Sequence, residues 1–564
     1  MDFQRLFLFL IFAFSLIMVW DGWQRYQHPE PNIQAGAPTS KDLPKLQAVP
    51  AVTNPTQIAT DIAPAVVPAA NPGQSATASN PPLATGKTIH VKTDLLDVDI
   101  NTLGGNIDRL AFLKQPDSLD RNKPLVLFQR GQGTHNYFAQ SGLLGTGLPN
   151  HNSLFNAQQE QYELTGNEEQ LQVRLSADLN TGVNVTKIFT FHKGSYLIDI
   201  AFEVENSGQQ SLTASSYFQL IRDSVAPEGS LRFLPTYTGA AAYSEKEKFQ
   251  KVPFADIDKN KVKYIKHADN GWIGILQHYF VAAWIPAENT VRENFTRKLD
   301  GGLYAVGVVL PAVTIAPGQK VEQGVQLYAG PTEATLDKIA PGLGLTVDYG
   351  WLTIIATPLF WVMSLFHHWT HNWGVAIILL TILIKLIFFP LSAASYRSMA
   401  KMRLVAPKLE KIKQQYADDR EQLNRAMMEL YKTEKINPLG GCLPVVIQIP
   451  VFIALYWSIL SSVEMRYAPF FGWITDLSAA DPYYILPTMM GISMFMQMHL
   501  NPKPPDPLQA KVMQIMPIAF SVMFFFFPAG LVLYSLVNNV LSIAQQWFIT
   551  RSAQAESKGA AAKR

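Results

Sequence analysis

The side chain with the most unusual chemical setting is Lys385, within an apolar stretch, 372–390, that is long enough to cross a membrane. A charge at that depth costs roughly 2.5–3.5 kcal/mol on insertion scales, and chains retain one where it faces a water-filled cavity or a partner. Lys385 is therefore the first candidate functional residue. The alternative is that Lys385 snorkels to the nearer membrane face, because it lies only about 9 Å along a helix from Leu391.

Other polar side chains accompany Lys385 in the apolar segments. Thr381 lies one helical turn earlier on the same face, Gln448 lies in the next segment, and Asn538 and Asn539 lie in the last one. Together these residues predict one hydrated cavity that opens toward the cytoplasm. The alternative for each is a hydrogen bond between packed helices. Prolines in the same segments favour bent, loosely packed helices: Pro444, Pro450, Pro487, Pro517 and Pro528.

Composition excludes several classes of protein. A chain of 564 residues is too long for one domain, and a net charge of +2 does not favour direct binding to nucleic acid. A single cysteine, Cys442, permits no intrachain disulfide and no zinc or iron–sulfur site. The sequence contains no phosphate loop, dinucleotide fingerprint, HExxH or GxSxG motif. We therefore expect no enzyme, no cofactor and no metal.

The N-terminal region predicts an anchor followed by a linker. An apolar run, 6–20, follows Arg5 and ends without the small-x-small pattern of a cleavage site, which favours an uncleaved transmembrane anchor over 1–24 with its N-terminus in the cytoplasm. A cleaved signal peptide is the alternative. Residues 25–87 are rich in Pro, Ala and Thr and show no hydrophobic period, which predicts a disordered linker.

Residues 88–340 change to a period of two. The runs 89–100 and 196–204 alternate apolar and polar residues, and turn signals such as Gly104-Gly105 separate such runs. Many short strands at this spacing predict a β-sandwich domain. Its histidines are scattered without the spacing of metal ligands.

After residue 341 the chain contains hydrophobic segments at 349–369, 372–391, 439–461, 483–500, 511–527 and 531–549. The loop 392–438 is dense in Lys and Arg and should be cytoplasmic. With the N-terminus in the cytoplasm and the β-domain outside, the chain must cross the membrane once between the β-domain and the basic loop. Two crossings would leave the basic loop outside, so one of the first two segments cannot span the membrane. The first is broken by Pro358 and carries polar residues, which predicts an amphipathic interfacial helix over 341–370.

The resulting fold class is a multi-domain membrane protein. An all-α polytopic core has six transmembrane helices, including the anchor, and is joined to an all-β sandwich. Five of these spans form a core over 371–550, and a basic cytoplasmic tail occupies 551–564.

The basic loop 392–438 predicts a cytoplasmic helical hairpin. Its first helix, 393–416, is interrupted by Pro407, and its second is capped near Asp419 and runs to about Glu434. A solvated charged connector without a partner is the alternative. The basic residues of the first helix are the candidate contacts for an incoming chain: Arg397, Lys401, Arg403 and Lys408.

Several segments resemble the YidC/Oxa family of membrane protein insertases, in its Gram-negative form with a large periplasmic domain. They occur in family order as SMAKMR (398–403), YKTEKINPLGGCLP (431–444), DLSA (476–479), DPYYILP (481–487) and FPAGLVLY (527–534). The order of anchor, linker, β-domain, interfacial helix and core also agrees with the family. The resemblance therefore covers most of the chain.

The resemblance implies a hydrophilic groove that is open to the cytoplasm and to lipid, in which a positive residue faces the client. That residue is usually arginine in the family, and Lys385 occupies the matching position. A nascent segment would slide along the lipid-facing side while its polar or acidic tail rests near this charge. The implied partners are nascent membrane proteins, the Sec translocon, the ribosome, signal-recognition components and the lipid bilayer. The implied location is the bacterial inner membrane, with both termini cytoplasmic and a mutarotase-like β-domain in the periplasm.

Two other functions remain open from the residues alone. A transporter or channel would also use an intramembrane cation such as Lys385, although the spans show no internal repeat. A carbohydrate enzyme on the β-domain would need an acid and a base paired in one pocket, which the sequence cannot show.

Overall fold

The structure is a computed structural model. It describes residues 86–117, 120–131, 135–179, 182–227, 237–347, 349, 352–416, 419–434, 443–500, 515, 519 and 521–562. The predicted anchor 1–24, nearly all of the predicted linker and most of the predicted span 511–527 lie outside the described residues. The chain divides into two units, one that ends at Asp348 and one that continues from Tyr349.

The first unit is built from strands. They are β1 Thr88–Lys92, β2 Leu96–Asn101, β3 Asn106–Pro116, β4 Pro124–Gln129, β5 Tyr137–Leu144, β6 Asn156–Ala157, β7 Gln161–Glu163, β8 Gln170–Asp178, β9 Val183–His192, β10 Leu197–Asn206, β11 Leu212–Asp223, β12 Thr238–Ser244, β13 Lys248–Val252, β14 His267–Ala268, β15 Trp272–Gln277, β16 Phe280–Ile285, β17 Arg292–Lys298, β18 Leu303–Val309, β19 Val313–Ile315 and β20 Lys320–Pro331. One short helix, α1 (Phe254–Asp258), follows β13.

Within the described residues the strands form two sheets. The first has the order β14-β17-β18-β11-β5-β4-β3-β2-β1-β7, with β19 paired to β11, and the second has the order β13-β12-β15-β16-β20-β10-β9-β8-β6. The alternation read from the sequence matches the burial of β10, where Ile198, Ile200, Phe202 and Val204 are buried. The prediction of a β-rich first unit is confirmed.

One lysine is part of the core of this unit. Lys187 on β9 is fully buried, and its ammonium donates to the carbonyl oxygens of Gly104 at 2.9 Å, Gly105 at 2.8 Å and Ser141 at 3.2 Å. Its Nζ also lies over the rings of Phe189 and Phe202. Burial lowers the pKa of Lys187. Three acceptors nevertheless match the three N–H donors of an ammonium, so Lys187 connects β9 to a turn and a strand of the other sheet.

The second unit is helical. Its helices are α2 Thr353–Thr370, α3 Trp373–Ile387, α4 Phe389–Gln415, α5 Arg420–Thr433, α6 Leu443–Ser461, α7 Ile485–Leu500 and α8 Ala529–Ala562. Among the described residues no single helix is both long and apolar enough to cross a membrane, whereas α3 and α4, bent by 66° at their junction, meet that test together by length and composition. The six predicted spans therefore stay a prediction.

Two prolines act differently from the sequence expectation. Helix α2 continues through Pro358 and α4 continues through Pro407, although both were expected to interrupt their helices. An interior proline removes one backbone hydrogen bond, and packing can offset that loss. Helix α2 is held by buried Ala356, Phe360 and Met363.

The helix is interrupted at a different place, between α3 and α4. The predicted span 372–391 begins as expected, with Asn372 capping α3 by accepting from the amide of Val375, but the helix ends at Ile387. Pro390 then lies at the start of α4, where a proline costs no hydrogen bond. The predicted helix boundary is therefore corrected by about one turn, and the bend falls directly after Lys385.

Candidate functional site

Lys385 lies in the last turn of α3 and is half-buried. Its Nζ donates to the hydroxyl of Ser542 on α8 at 2.6 Å. Ser542 in turn donates to the backbone carbonyl of Asn538 at 2.8 Å, and Tyr396 on α4 lies beside the Ser542 hydroxyl. Among the described residues no carboxylate pairs with the Lys385 ammonium. The charge therefore rests on a neutral hydroxyl.

Helix α8 supplies one polar stripe to this site. Its members recur at helical spacing in the largely apolar part of the helix before Thr550 and are largely buried: Ser535, Asn538, Asn539, Ser542 and Gln546. Only the two asparagines stand out in the sequence as polar residues of this segment. The signal that identifies the others is the spacing of three, four, seven and eleven residues from Ser535, which places the stripe on one face of the helix.

The stripe also connects α8 to its neighbours. Asn539 donates to Ser493 of α7 at 2.7 Å, and Gln546 donates to the carbonyl of Leu500 at 3.1 Å. These bonds satisfy polar groups that an apolar surrounding would otherwise penalise. They fix α8 against α7 and so fix the helix that receives Lys385.

The four groove residues named from the sequence lie in different surroundings in the structure. Lys385 and Asn538 meet through Ser542, and Gln448 donates to the hydroxyl of Tyr534, one turn before Asn538 on α8. The Oδ1 atom of Asn538 is buried without a hydrogen-bond partner among the described residues. Thr381 is fully buried and its hydroxyl donates to the carbonyl of Ile377 on its own helix at 2.7 Å, so it offers no free hydroxyl proton to the site.

The basic residues predicted for the hairpin lie on α4. Arg397, Lys401 and Lys408 are exposed, and Arg403 is half-buried. Lys408 pairs with Glu434, directly after α5, at 2.6 Å. Helix α5 starts at the predicted cap, where Asp419 accepts from the amides of Glu421 and Gln422.

Several helices in this unit expose apolar side chains. On α2 the outward face carries Ile354, which is 89% exposed, and Trp361 and Trp369, which are each 65% exposed. On α7 a helical stripe of Met489, Ile492 and Phe495 is also exposed. Apolar surface of this extent marks contact with a membrane or another protein. Within the described part of the chain no three His, Cys, Asp or Glu residues converge as metal ligands.

Comparisons with known proteins give the family. The sequence profile of the YidC periplasmic domain matches residues 88–362, and that of the 60Kd inner membrane protein matches residues 365–557. The chain is 55% identical to the membrane protein insertase YidC of Nitrosospira multiformis, over 98% of this chain and 97% of that relative. It is 52% identical to the membrane protein insertase YidC of Methylobacillus flagellatus, over 99% of each.

Two solved structures are similar in part. A crystal structure of an active YidC insertase with its first transmembrane domain resolved has a TM-score of 0.38 and 19% identity, covering 82% of this chain and 94% of that one. A galactose mutarotase related enzyme from Lactobacillus acidophilus has a TM-score of 0.30 and 8% identity, covering 43% of this chain and 97% of that one. With full-length sequence relatives at about half identity, the chain belongs to the YidC family of membrane protein insertases, inner membrane proteins with a periplasmic domain.

Proposed function

We propose that this chain inserts nascent membrane proteins through a hydrophilic groove whose working charge is the Lys385 ammonium. The observation that supports this proposal best is the partner of Lys385. The amine is half-buried against α8 and rests on the neutral hydroxyl of Ser542, with no carboxylate paired to it among the described residues. A half-buried cation without a counter-ion attracts the anion that a client brings.

The electrostatic gain is large enough to matter. Two opposite unit charges 4 Å apart attract by about 4 kcal/mol at an effective dielectric constant near 20, against about 1 kcal/mol in water. An acidic tail of a client would gain this attraction while it crosses the most costly part of its path. The gain is transient, because burial of the client's apolar segment in lipid then draws the tail away.

The polar stripe of α8 would line the groove. The buried Oδ1 of Asn538 has no partner among the described residues, so it can accept a hydrogen bond from a client backbone or a water. Gln448 and Tyr534 supply further polar groups one turn away. Thr381 would act as a packing residue, since its hydroxyl is already bonded to Ile377.

The membrane arrangement is part of this proposal. The anchor 1–24 and five core spans would place both termini in the cytoplasm and residues 88–340 in the periplasm. Helix α2 would lie in the outer interface, where exposed Ile354, Trp361 and Trp369 suit the headgroup boundary. The proposal requires α3 to enter the membrane with Lys385 near its cytoplasmic end.

The α4–α5 hairpin would receive the client before the groove does. Exposed Arg397, Lys401 and Lys408 offer positive charge at its surface. Sec translocon, ribosome and signal-recognition components are the partners that such a surface would meet. Deletion of residues 397–432 should abolish insertion, and full insertion without them would contradict the receiving role.

Reconstitution tests the proposal. The full-length protein in liposomes should insert a one-span client with a short acidic tail, measured by protection of the tail from added protease, while protein-free liposomes should not. Lys385→Ala should lower the insertion rate and Lys385→Arg should retain it. Protein-dependent ion flux without insertion would instead support a transporter and overturn the proposal.

A further inference from the structure

The hydroxyl of Ser542 is in contact with three separate elements. It accepts from the Lys385 ammonium of α3 at 2.6 Å and donates to the carbonyl of Asn538 on its own helix at 2.8 Å. Tyr396 of α4 lies beside the same hydroxyl. Ser542 itself is 5% exposed. The three contacts therefore occur in a site with little competition from solvent.

Two of these contacts are hydrogen bonds. A serine hydroxyl has one donor and two acceptor lone pairs. The donor goes to Asn538, and one lone pair accepts from the Lys385 ammonium. Threonine can make the same two bonds, and alanine can make neither of them.

Ser542 also bridges the bend between α3 and α4. Lys385 lies before the 66° bend between α3 and α4, and Tyr396 lies after it. The position of the Tyr396 ring is fixed by packing, since it is buried with Ala393 and Ile549. One hydroxyl on α8 thus meets a side chain from each arm of the bent pair.

We propose that Ser542 is the positioning residue of the groove, which holds the Lys385 ammonium against α8 and ties its place to the first helix of the hairpin through Tyr396. The inference rests on the proposed function for its effect on clients. A lysine this near a helix end can otherwise extend toward the membrane face. With Ser542 in place the charge is held at the depth where a client tail needs it, and pre-organisation strengthens binding.

The tie to the hairpin is tested without any client. Hydrogen–deuterium exchange would be measured on the full-length protein in lipid nanodiscs, over the α4 segment Phe389–Gln415. Ser542→Ala and Tyr396→Phe should each speed exchange in this segment, and Ser542→Thr should match the wild type. Unchanged exchange in both Ser542→Ala and Tyr396→Phe would overturn the tie. The same measurement over α2 reports whether the helical unit of a variant is folded.

The hold on the lysine is tested with the acidic-tail client in proteoliposomes. Ser542→Ala should raise the client concentration for half-maximal insertion by about tenfold, the worth of one hydrogen bond to a charged group, and Ser542→Thr should not. In a variant that already carries Lys385→Ala, the further change Ser542→Ala should cause no additional loss of insertion. Additive losses would overturn the proposal. If Lys385→Ala alone leaves insertion unchanged, the proposed function fails while the exchange measurement still decides the tie.

Discussion

Among the described residues, Lys187 and Lys385 each bring an ammonium group inside the protein, and the two units bind these groups in different ways. Lys187 in the β-unit is fully buried, with three carbonyl acceptors and two aromatic rings around its Nζ. Lys385 in the helical unit is half-buried and has one hydroxyl partner. A cation with all of its hydrogen bonds made inside the protein has no capacity left for a ligand, whereas one with a single neutral partner does. The first therefore suits a structural role, and under the proposed function the second is available to a client.

The largest effect should come from removing the saturated cation. Lys187→Met leaves the carbonyls of Gly104, Gly105 and Ser141 buried without their donor, and we expect the β-unit to lose about 3–5 kcal/mol of stability. The loss would be measured on the full chain in detergent, from hydrogen exchange of β9 with increasing denaturant. Lys320→Met is the matched control, because Lys320 is exposed in its pair with Glu203 and should change stability by about 1 kcal/mol or less. Equal stability of Lys187→Met and wild type would contradict a structural role for Lys187.

The buried carboxylate of Asp481 allows the same comparison between a structural role and a role toward the client. Asp481 is 1% exposed and accepts from the indole of Trp473, from the amide of Tyr483 and, at the start of α7, from the amide of Leu486. Asp481→Asn places an amide group among these donors and should cost about 2–3 kcal/mol. Insertion should then fall equally for acidic-tail and neutral-tail clients, since the fault lies in packing. A loss confined to acidic-tail clients would show that Asp481 acts on the client instead.

The pH dependence of the β-unit should follow His151. Burial, together with the nearby cations Lys187 and Arg130, lowers the pKa of His151 to about 4. In the unfolded chain the imidazole gains its proton near pH 6.5, so the unfolded state binds more protons between these values and stability falls as the pH drops from about 6.5 toward 4. His151→Gln should reduce this fall, measured as the denaturant midpoint at pH 7 minus that at pH 5. An unchanged difference would exclude His151 as its source.

The smallest change in stability should come from Lys385. Lys385→Met removes one bond to Ser542, whose hydroxyl still donates to Asn538, and it replaces a half-buried charge with an apolar side chain. We expect the melting temperature of the helical unit to stay within a few degrees or to rise, because desolvation of the ammonium is no longer required. A collapse of stability comparable to that of Lys187→Met would remove the contrast between the two lysines.

The sequence predicted the parts of the molecule that follow from period and from caps. Alternation identified the strands of the β-unit, and Asp419 marked the start of α5. The burial of Lys187 could also be predicted, because this residue shares the inward positions of β9 with Val185, Phe189 and Phe191. A charged residue in an inward register position predicts a buried cation that needs acceptors.

Other features depend on contacts that are distant in sequence. Ser542 and Tyr396 have ordinary surroundings in the sequence, and only packing of α8 against α3 and α4 brings them to Lys385. The bend after Ile387 lies inside the apolar stretch 372–390, so hydrophobicity alone could not locate it. Pro358 and Pro407 show the reverse case, since local rules predicted breaks that the structure does not contain.

The central claim is that the Lys385 charge acts on the client's charge. The most direct test compares two one-span clients whose tails differ only by Asp-to-Asn changes, inserted by wild type, Lys385→Ala and Lys385→Arg in the same liposomes. The account predicts that wild type and Lys385→Arg favour the acidic tail, and that Lys385→Ala inserts both tails at the slower rate of the neutral one. An acidic-tail preference that persists in Lys385→Ala would contradict it.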